Sequence, residues 1–171
     1  MAERVSGTGG RAAKGIHLTV RIDGAQATLK ALRDLPKGAS DELRDAAQSL
    51  SEKMAGWVTA AGQAEGRQAS LLVGTVKAKR DRLPYIVVGG TKRIGHAWPG
   101  AGRAPAYQLL FGSEFGASTG HGFKPHRGKV GYWVFPTIEH HEGDIAREWE
   151  RAADQVVDRF SHGGPDIGTE A

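Results

Sequence analysis

The sequence predicts an α+β fold, in which a small antiparallel sheet of three to four strands is packed by a long helix after the first strand and by a C-terminal helix. Three stretches predict this fold. Residues 16–23 alternate apolar and polar side chains, which is the pattern of a half-buried strand. Residues 40–62 and 137–161 carry apolar side chains at steps of three and four, which is the pattern of an amphipathic helix.

Length and composition set the limits of the fold. The chain has 171 residues, which is enough for one domain with its own core. It contains no cysteine, which excludes disulfides, thiolate metal ligands and cysteine catalysis. We expect a flexible arm at 1–15, a single domain at 16–161 and a polar tail at 162–171. No signal peptide and no apolar run of the ~20 residues that span a bilayer is visible. We therefore expect assembly in the cytoplasm and no membrane contact.

In the first half of the chain, the strand at 16–23 is followed by two helices. A short helix is predicted around 27–35, closed by Pro36. Ser40 has the residue type of an N-cap for the long helix, and the acidic residues that follow it suit the positive end of a helix dipole. The apolar stripe of this helix ends near Gly62.

The middle of the chain combines strand-like and loop-like stretches. Residues 69–76 and 85–88 are rich in β-branched and aromatic side chains and flank the polar turn 77–83, so they predict an antiparallel hairpin. Residues 89–105 contain many glycines and two prolines, which predicts a long loop.

The second half of the chain predicts a short helix at 106–111 and a second glycine-rich loop at 117–130. Residues 132–135 are apolar and are followed by Pro136, which predicts a short strand that stops there. The amphipathic stripe of the C-terminal helix then continues to residue 161.

Charge is unevenly distributed along the chain. Residues 77–103 contain seven Lys and Arg side chains against Asp81 alone, whereas residues 137–161 contain more acidic than basic side chains. A chain with a basic loop region and an acidic helix can bind a polyanion, or it can pair with copies of itself.

Candidate catalytic and metal-binding groups are few. His140, His141 and Asp144 form the densest cluster of possible metal ligands. Neighbouring histidines on a helix point about 100° apart, so these two do not converge on one ion. Residues 89–95 are glycine-rich but lack the residue order of a phosphate-binding loop. We expect no catalytic residue, no metal and no cofactor.

One ordered set of motifs resembles a known family. Residues 107–116 include the triplet Glu114-Phe115-Gly116, and a polar loop, the aromatic–proline run 132–136 and an acidic amphipathic helix follow. This order resembles the tail-component or tail-completion proteins of long-tailed bacteriophages, which are small subunits of the head–tail joining region. The resemblance covers roughly residues 16–161. It implies an α+β subunit without catalytic residues or cofactor that oligomerises, typically as a six-fold ring.

The resemblance implies a structural virion protein at the neck or top of the tail, which joins the DNA-filled head to the tail tube. The expected partners are further copies of the chain, adjacent neck and tail-tube proteins, and DNA passing through the channel. A tail terminator ring that caps the tube is the alternative within this class. A small basic nucleic-acid-binding module is the alternative from another class, and a metal-dependent hydrolase using the His140–Asp144 region comes third.

The candidate residues for subunit interfaces or for the lumen of a ring are basic side chains, one tryptophan and two residues of the triplet. They are Lys77, Lys79, Arg80, Arg82, Lys92, Arg93, Trp98, Arg103, Glu114 and Phe115. If the turn at 77–82 lines a channel, its positive charge faces DNA, and if it points at a neighbouring ring, it meets acidic residues there. Trp98 is either an anchor for a partner or a side chain folded onto its own domain.

Overall fold

The structure is a computed structural model that describes residues 15–20, 22–34, 37–98, 102–118, 122–126, 128 and 130–161. The predicted arm before Gly15 and the predicted tail at 162–171 lie outside these residues. Among the described residues, five strands and five helices follow one another. The strands are β1 (Gly15–Thr19), β2 (Lys77–Lys79), β3 (Tyr85–Gly89), β4 (Arg93–Trp98) and β5 (Gly102–Pro105). The helices are α1 (Ala25–Ala31), α2 (Lys37–Glu65), α3 (Arg67–Ser70), α4 (Ala106–Phe115) and α5 (Val134–Ser161).

The predicted fold class is confirmed, with a long helix after the first strand, a small antiparallel sheet and a C-terminal helix. The sheet has three strands in the order β1–β3–β2, and both pairings are antiparallel. The alternating burial predicted from residue 16 onward is also observed, because Ile16, Leu18, Val20 and Ile22 are all buried. The hydrogen-bonded strand itself ends at Thr19.

The three-stranded sheet has one covered and one open face. Ile16 and Leu18 of β1 pair with Val88 and Ile86 of β3, and all four side chains are buried in the core, where α2 contacts β2 and β3 and α4 contacts β1 and β3. Because side chains alternate along a strand, the neighbouring residues form the opposite face, which we call the open sheet face. It consists of His17, Thr19, Lys77, Lys79, Tyr85 and Val87.

The two long helices pack against each other in antiparallel orientation. Two ion pairs join them, one between Lys53 and Glu148 at 2.6 Å and one between Glu42 and Arg159. α5 also reaches the turn between β2 and β3, because the indole Nε1 of Trp149 donates a hydrogen bond to the backbone carbonyl of residue 82. Buried side chains from β1 to α5 thus form one hydrophobic core.

The predicted strand at 69–76 is wrong. Its residues form the end of α3 and a 3₁₀ turn at Val73–Thr75, and β2 occupies part of the predicted polar turn. The buried residues in this stretch are Ala69, Leu72 and Thr75. They recur every third residue, which is the spacing of 3₁₀ structure, whereas a half-buried strand would bury every second residue.

The predicted loop at 89–105 is also wrong over most of its length. Residues 93–98 and 102–105 pair as the antiparallel hairpin β4–β5, with an irregular register between Ile94 and Trp98. Gly95 lies in this irregular segment at a positive φ of 80°, a conformation that favours glycine. The glycines required at such positions interrupt the alternation by which a strand is recognised in a sequence.

The apolar run 132–135 is not a strand, because Val134 is the first residue of α5. Pro136 does not stop this element, since it is the third residue of the helix. Proline is tolerated in the first turn, where an amide has no partner within the helix. α4 is longer than predicted and includes the Glu114-Phe115 pair.

Ser40 is not the N-cap of α2, because the helix begins three residues earlier, at Lys37. The stretch that follows Pro36 in the sequence is therefore already helical, consistent with the preference of proline for helix starts. At its other end α2 continues to Glu65, beyond the predicted end near Gly62.

Candidate functional site

The basic residues among the candidates for subunit interfaces or a lumen separate into three groups, and the first group lies on the open sheet face. Lys77 and Lys79 are exposed there, at the edge formed by β2. Beside them, the Nδ1 atom of His17 forms a hydrogen bond with the hydroxyl of Tyr85, and the two rings stack with centroids 5.9 Å apart. This face therefore combines two ammonium groups with a pair of aromatic rings.

The second group, Arg80 and Arg82, turns toward the helices. The Nε atom of Arg80 donates a hydrogen bond to the carboxylate of Asp45 at 2.8 Å, and this bond raises the pKa of the guanidinium above its ordinary value. Arg82 is half-buried next to Asp81, whose carboxylate accepts the backbone N–H of Arg82. Residues 77–82 thus do not form the single positive turn that the lumen hypothesis assumes.

The third group lies on and next to the β4–β5 hairpin, where Lys92, Arg93 and Arg103 are exposed. Arg93 donates a hydrogen bond of 2.7 Å to the carbonyl of Arg103. No acidic residue occurs anywhere in 82–113, so this stretch has no negative side chain of its own to offset its positive charge. The backbone of Trp98 belongs to β4, but its side chain lies outside the described residues, and both readings of it remain predictions.

Glu114 is not placed at a surface, contrary to the expectation of an interface or lumen residue. Its side chain is completely buried, and its carboxylate accepts three successive backbone N–H groups. Oε2 bonds to Trp133 at 3.2 Å and Val134 at 2.8 Å, and Oε1 bonds to Phe135 at 2.9 Å. These amides begin α5 and have no acceptor within the helix. Glu114 therefore caps α5 from a different helix.

Two opposing effects act on the Glu114 carboxyl group. Burial disfavours the charged form and raises its pKa, whereas the three amide hydrogen bonds favour the charged form and lower it. Burial is the larger effect, and the nearby carboxylate of Glu65 adds to it, so the pKa is raised overall. Lys124 partly compensates Glu65 through an ion pair of 2.6 Å.

The rest of the triplet also has a structural role in this chain. Phe115 is half-buried and packs against Phe111 and Phe135, with ring centroids 6.2 Å and 5.7 Å apart. Gly116 has a φ of 75°, and an added Cβ would lie 2.4 Å from the carbonyl oxygen of Pro125. The triplet thus joins α4, the following loop and the start of α5.

Gly131 is a residue of this junction that the sequence analysis missed. An added Cβ at this position would lie 1.9 Å from Oε1 of Glu114, so only glycine leaves room for the cap. A sequence signal exists in retrospect, because Gly131 directly precedes the aromatic pair Tyr132-Trp133. It could not be interpreted without knowing that Glu114 approaches this backbone.

The exposed side of α5 carries a stripe of acidic side chains. Glu139, Glu150 and Asp154 are exposed and form no ion pair within the described part of the chain. At about 100° per residue these three positions lie within about 60° of one another around the helix. We call them the acidic stripe.

The histidines at the start of α5 do not form a metal-binding group. The ring of His141 stacks on Trp57 with centroids 3.8 Å apart and planes inclined by 13°, and His140 contacts it edge-on. Among the described residues, no three His, Asp or Glu side chains come close enough together to hold a metal ion. The contacts of His141 are therefore those of a packing residue.

A further group of basic residues comes together although the sequence separates them. Arg33, Lys37 and Arg44 join Arg82 around a cleft of about 390 Å³. Of these four basic residues, only Arg82 is among the candidates predicted from the sequence. Arg33, Lys37 and Arg44 follow one another at intervals of four and seven residues, which is a helical spacing. It was not recognised in the sequence because Arg33 precedes the first residue of α2.

Comparison of the chain with protein-family models, with curated proteins and with solved structures found no match. Within the described residues, no helix is long and apolar enough to cross a membrane. Inference about function therefore depends on the residues and surfaces described above.

Proposed function

We propose that this chain is a structural protein of a tailed-phage virion that forms an oligomeric ring at the neck or top of the tail and joins the DNA-filled head to the tail tube. The observation that carries the proposal is the presence of two charged surfaces of opposite sign on one subunit. Lys77 and Lys79 lie on the open sheet face, and the acidic stripe lies on α5. The motif order that resembles tail-completion proteins supplies the family context.

The positions of these surfaces suit a head-to-tail contact. α2 contacts β2 and β3 and α5 packs along α2, so the open sheet face and the acidic stripe are two separate surfaces on different elements of the subunit. In a ring, one patch of each copy meets a different patch of the next copy. Complementary charge on two such patches favours this arrangement over pairing of identical surfaces.

Charge reversal tests the proposed contact. Changing Lys77 and Lys79 to Glu, or Glu150 and Asp154 to Lys, places like charges opposite each other, and we expect each double variant to remain monomeric. In a mixture of the two variants, both contacts between unlike subunits pair opposite charges, so we expect the variants to alternate and assemble together, as a ring if the number of subunits is even. Light scattering coupled to gel filtration measures the masses, and negative-stain images of the unmodified protein show whether the assembly is a ring.

Lys30→Glu is the matched control, because Lys30 is exposed on α1 and belongs to neither surface. It should assemble like the unmodified protein. A monomer at every concentration and salt tested would count against the proposal, as would rings that tolerate both reversals. A ring that assembles as expected leaves open whether it joins head and tail or terminates the tube. Particles that lack the protein separate these roles. A joining role predicts that heads and tails fail to join while the tails keep their normal length.

The acid-free β4–β5 hairpin favours a second candidate function, a basic nucleic-acid-binding module. Exposed Arg and Lys side chains on a hairpin can contact phosphates, with an affinity that falls steeply as salt rises. Changing Arg93 and Arg103 to Gln should then weaken retardation of DNA in a gel-shift assay. Equal retardation by the variant and the unmodified protein would remove the support for this candidate.

A further inference from the structure

The cleft at the start of α2 has the features of a binding site for an anion. It has a volume of about 390 Å³, within the range of small-molecule sites. Leu32 and Leu43, both buried, supply its apolar lining. Arg33 and Lys37 are exposed around it, and Arg82 is half-buried. We refer to it as the α2 cleft.

The positive charge of the α2 cleft is largely uncompensated. Arg33, Lys37 and Arg82 form no ion pair among the described residues, whereas Arg44 is paired with Asp41 at 2.8 Å. The neighbouring acids of α2 are engaged elsewhere. Glu42 pairs with Arg159 of α5, and Asp45 pairs with Arg80 of the β2–β3 turn. Three cationic side chains thus surround the cleft without an anionic partner among the described residues.

Two further features lie at the same place. The cleft is next to the first turn of α2, where the amides of a 29-residue helix point their positive ends outward. Ser40 lines the cleft, and its Oγ atom is buried without a hydrogen-bond partner among the described residues. A buried hydroxyl without a partner is costly, and rotation of the Ser40 side chain about χ1 toward a ligand in the cleft would supply one.

We propose that the α2 cleft binds a phosphate group. A phosphate monoester carries more than one negative charge at neutral pH and several acceptor oxygens, which suits three unpaired cations better than a single carboxylate does. Guanidinium groups bind two phosphate oxygens at once. The cleft also exceeds the size of the anion, so an attached sugar fits. The source is either the terminal phosphate of a nucleic acid or a small phosphate ester.

Calorimetric titration of the full chain with inorganic phosphate tests the proposal, in chloride buffer of matched ionic strength. We expect saturable binding at one site. Arg33→Gln with Arg82→Gln should weaken it by about tenfold or more, the effect of losing charge-assisted hydrogen bonds. Arg67→Gln with Arg151→Gln removes the same charge at two exposed positions that do not line the cleft and should leave the affinity unchanged.

Ser40→Ala adds a readout that a purely structural role would not give. Without phosphate, this variant should be at least as stable as the unmodified protein, because it removes an unsatisfied hydroxyl. Its phosphate affinity should nevertheless fall by several-fold, and Ser40→Thr, which retains a hydroxyl, should recover part of it. A variant that loses stability and keeps its affinity would contradict the proposal.

Short oligonucleotides with a 5′-phosphate or a 5′-hydroxyl distinguish the two sources. Tighter binding of the phosphorylated oligonucleotide identifies the end of a nucleic acid as the source. If inorganic phosphate binds and neither oligonucleotide does, the source is a small phosphate ester. The proposal is overturned if the unmodified protein shows no saturable phosphate binding, or if the two double variants lose affinity equally. Ring formation is measured in parallel, and neither result depends on the other.

Discussion

Glu114 bonds three successive backbone amides at the start of α5, and replacing it tests how strongly α5 depends on a cap that comes from α4. In Glu114→Gln, one carboxylate oxygen becomes an NH₂ group that faces an amide N–H, so at least one bond is lost. Glu114→Ala loses all three bonds and leaves buried amides without acceptors. We expect the alanine variant to lose about 2 kcal/mol or more of unfolding free energy, and the glutamine variant to lose less. Urea unfolding measures both.

Glu139→Gln is the control for these variants, because it makes the same chemical change on α5 at an exposed position that has no ion pair within the described part of the chain. Its unfolding midpoint should stay close to that of the unmodified protein. If all three variants unfold at the same urea concentration, the cap contributes little to stability.

The raised pKa of Glu114 has a consequence for stability as a function of pH. Because burial raises the pKa of this carboxyl in the folded state, the folded protein binds more protons than the unfolded chain between the ordinary and the raised value. The contribution of Glu114 to stability is thus greatest below the ordinary pKa and decreases as pH rises through this window. Subtracting the stability profile of Glu114→Gln from that of the unmodified protein isolates this contribution. A difference that increases with pH would contradict the assignment.

At the level of secondary structure, elements with a regular apolar period were predictable and elements defined by distant contacts were not. The stripes of α2 and α5 and the alternation from residue 16 all identified real elements. The start of α5 was misread because its cap, Glu114, lies about twenty residues earlier. The short stretch 69–76 satisfies both strand and helix patterns by composition, and only its burial at every third residue separates them.

Two glycines in α2 provide a matched pair at this level. At Gly56 an added Cβ meets nothing within 4 Å, whereas at Gly62 it would lie 2.7 Å from the ring of Trp133 and 2.9 Å from Val73. Gly56→Ala should therefore stabilise the protein by up to about 1 kcal/mol, the difference in helix propensity. Gly62→Ala should destabilise it, because Trp133 is buried and cannot move away. Thermal unfolding compares the two, and a rise in both melting temperatures would refute the packing argument.

For the whole molecule, composition and periodicity predicted the fold class and the separation of charge along the chain. They did not predict where the charges meet. Arg80 and Arg82 belong to the same basic stretch as Lys77, but the first is bound to α2 and the second lines the α2 cleft. A sequence shows only which residues are close along the chain. The antiparallel packing of α2 on α5 and the hairpin turns decide which of them are close in the folded protein.

Among the described residues, the order β1–β3–β2 makes β1 and β2 edge strands, and such strands can add further strands from other molecules. β2 is only three residues long and carries two lysines, both of which are features that discourage this addition. Lys77→Val with Lys79→Thr would turn it into a β-prone edge, and we expect this variant to form fibrils that bind thioflavin, while Lys30→Gln does not. The two lysines would then also protect free subunits from amyloid-like aggregation during the interval between synthesis and incorporation into a larger assembly.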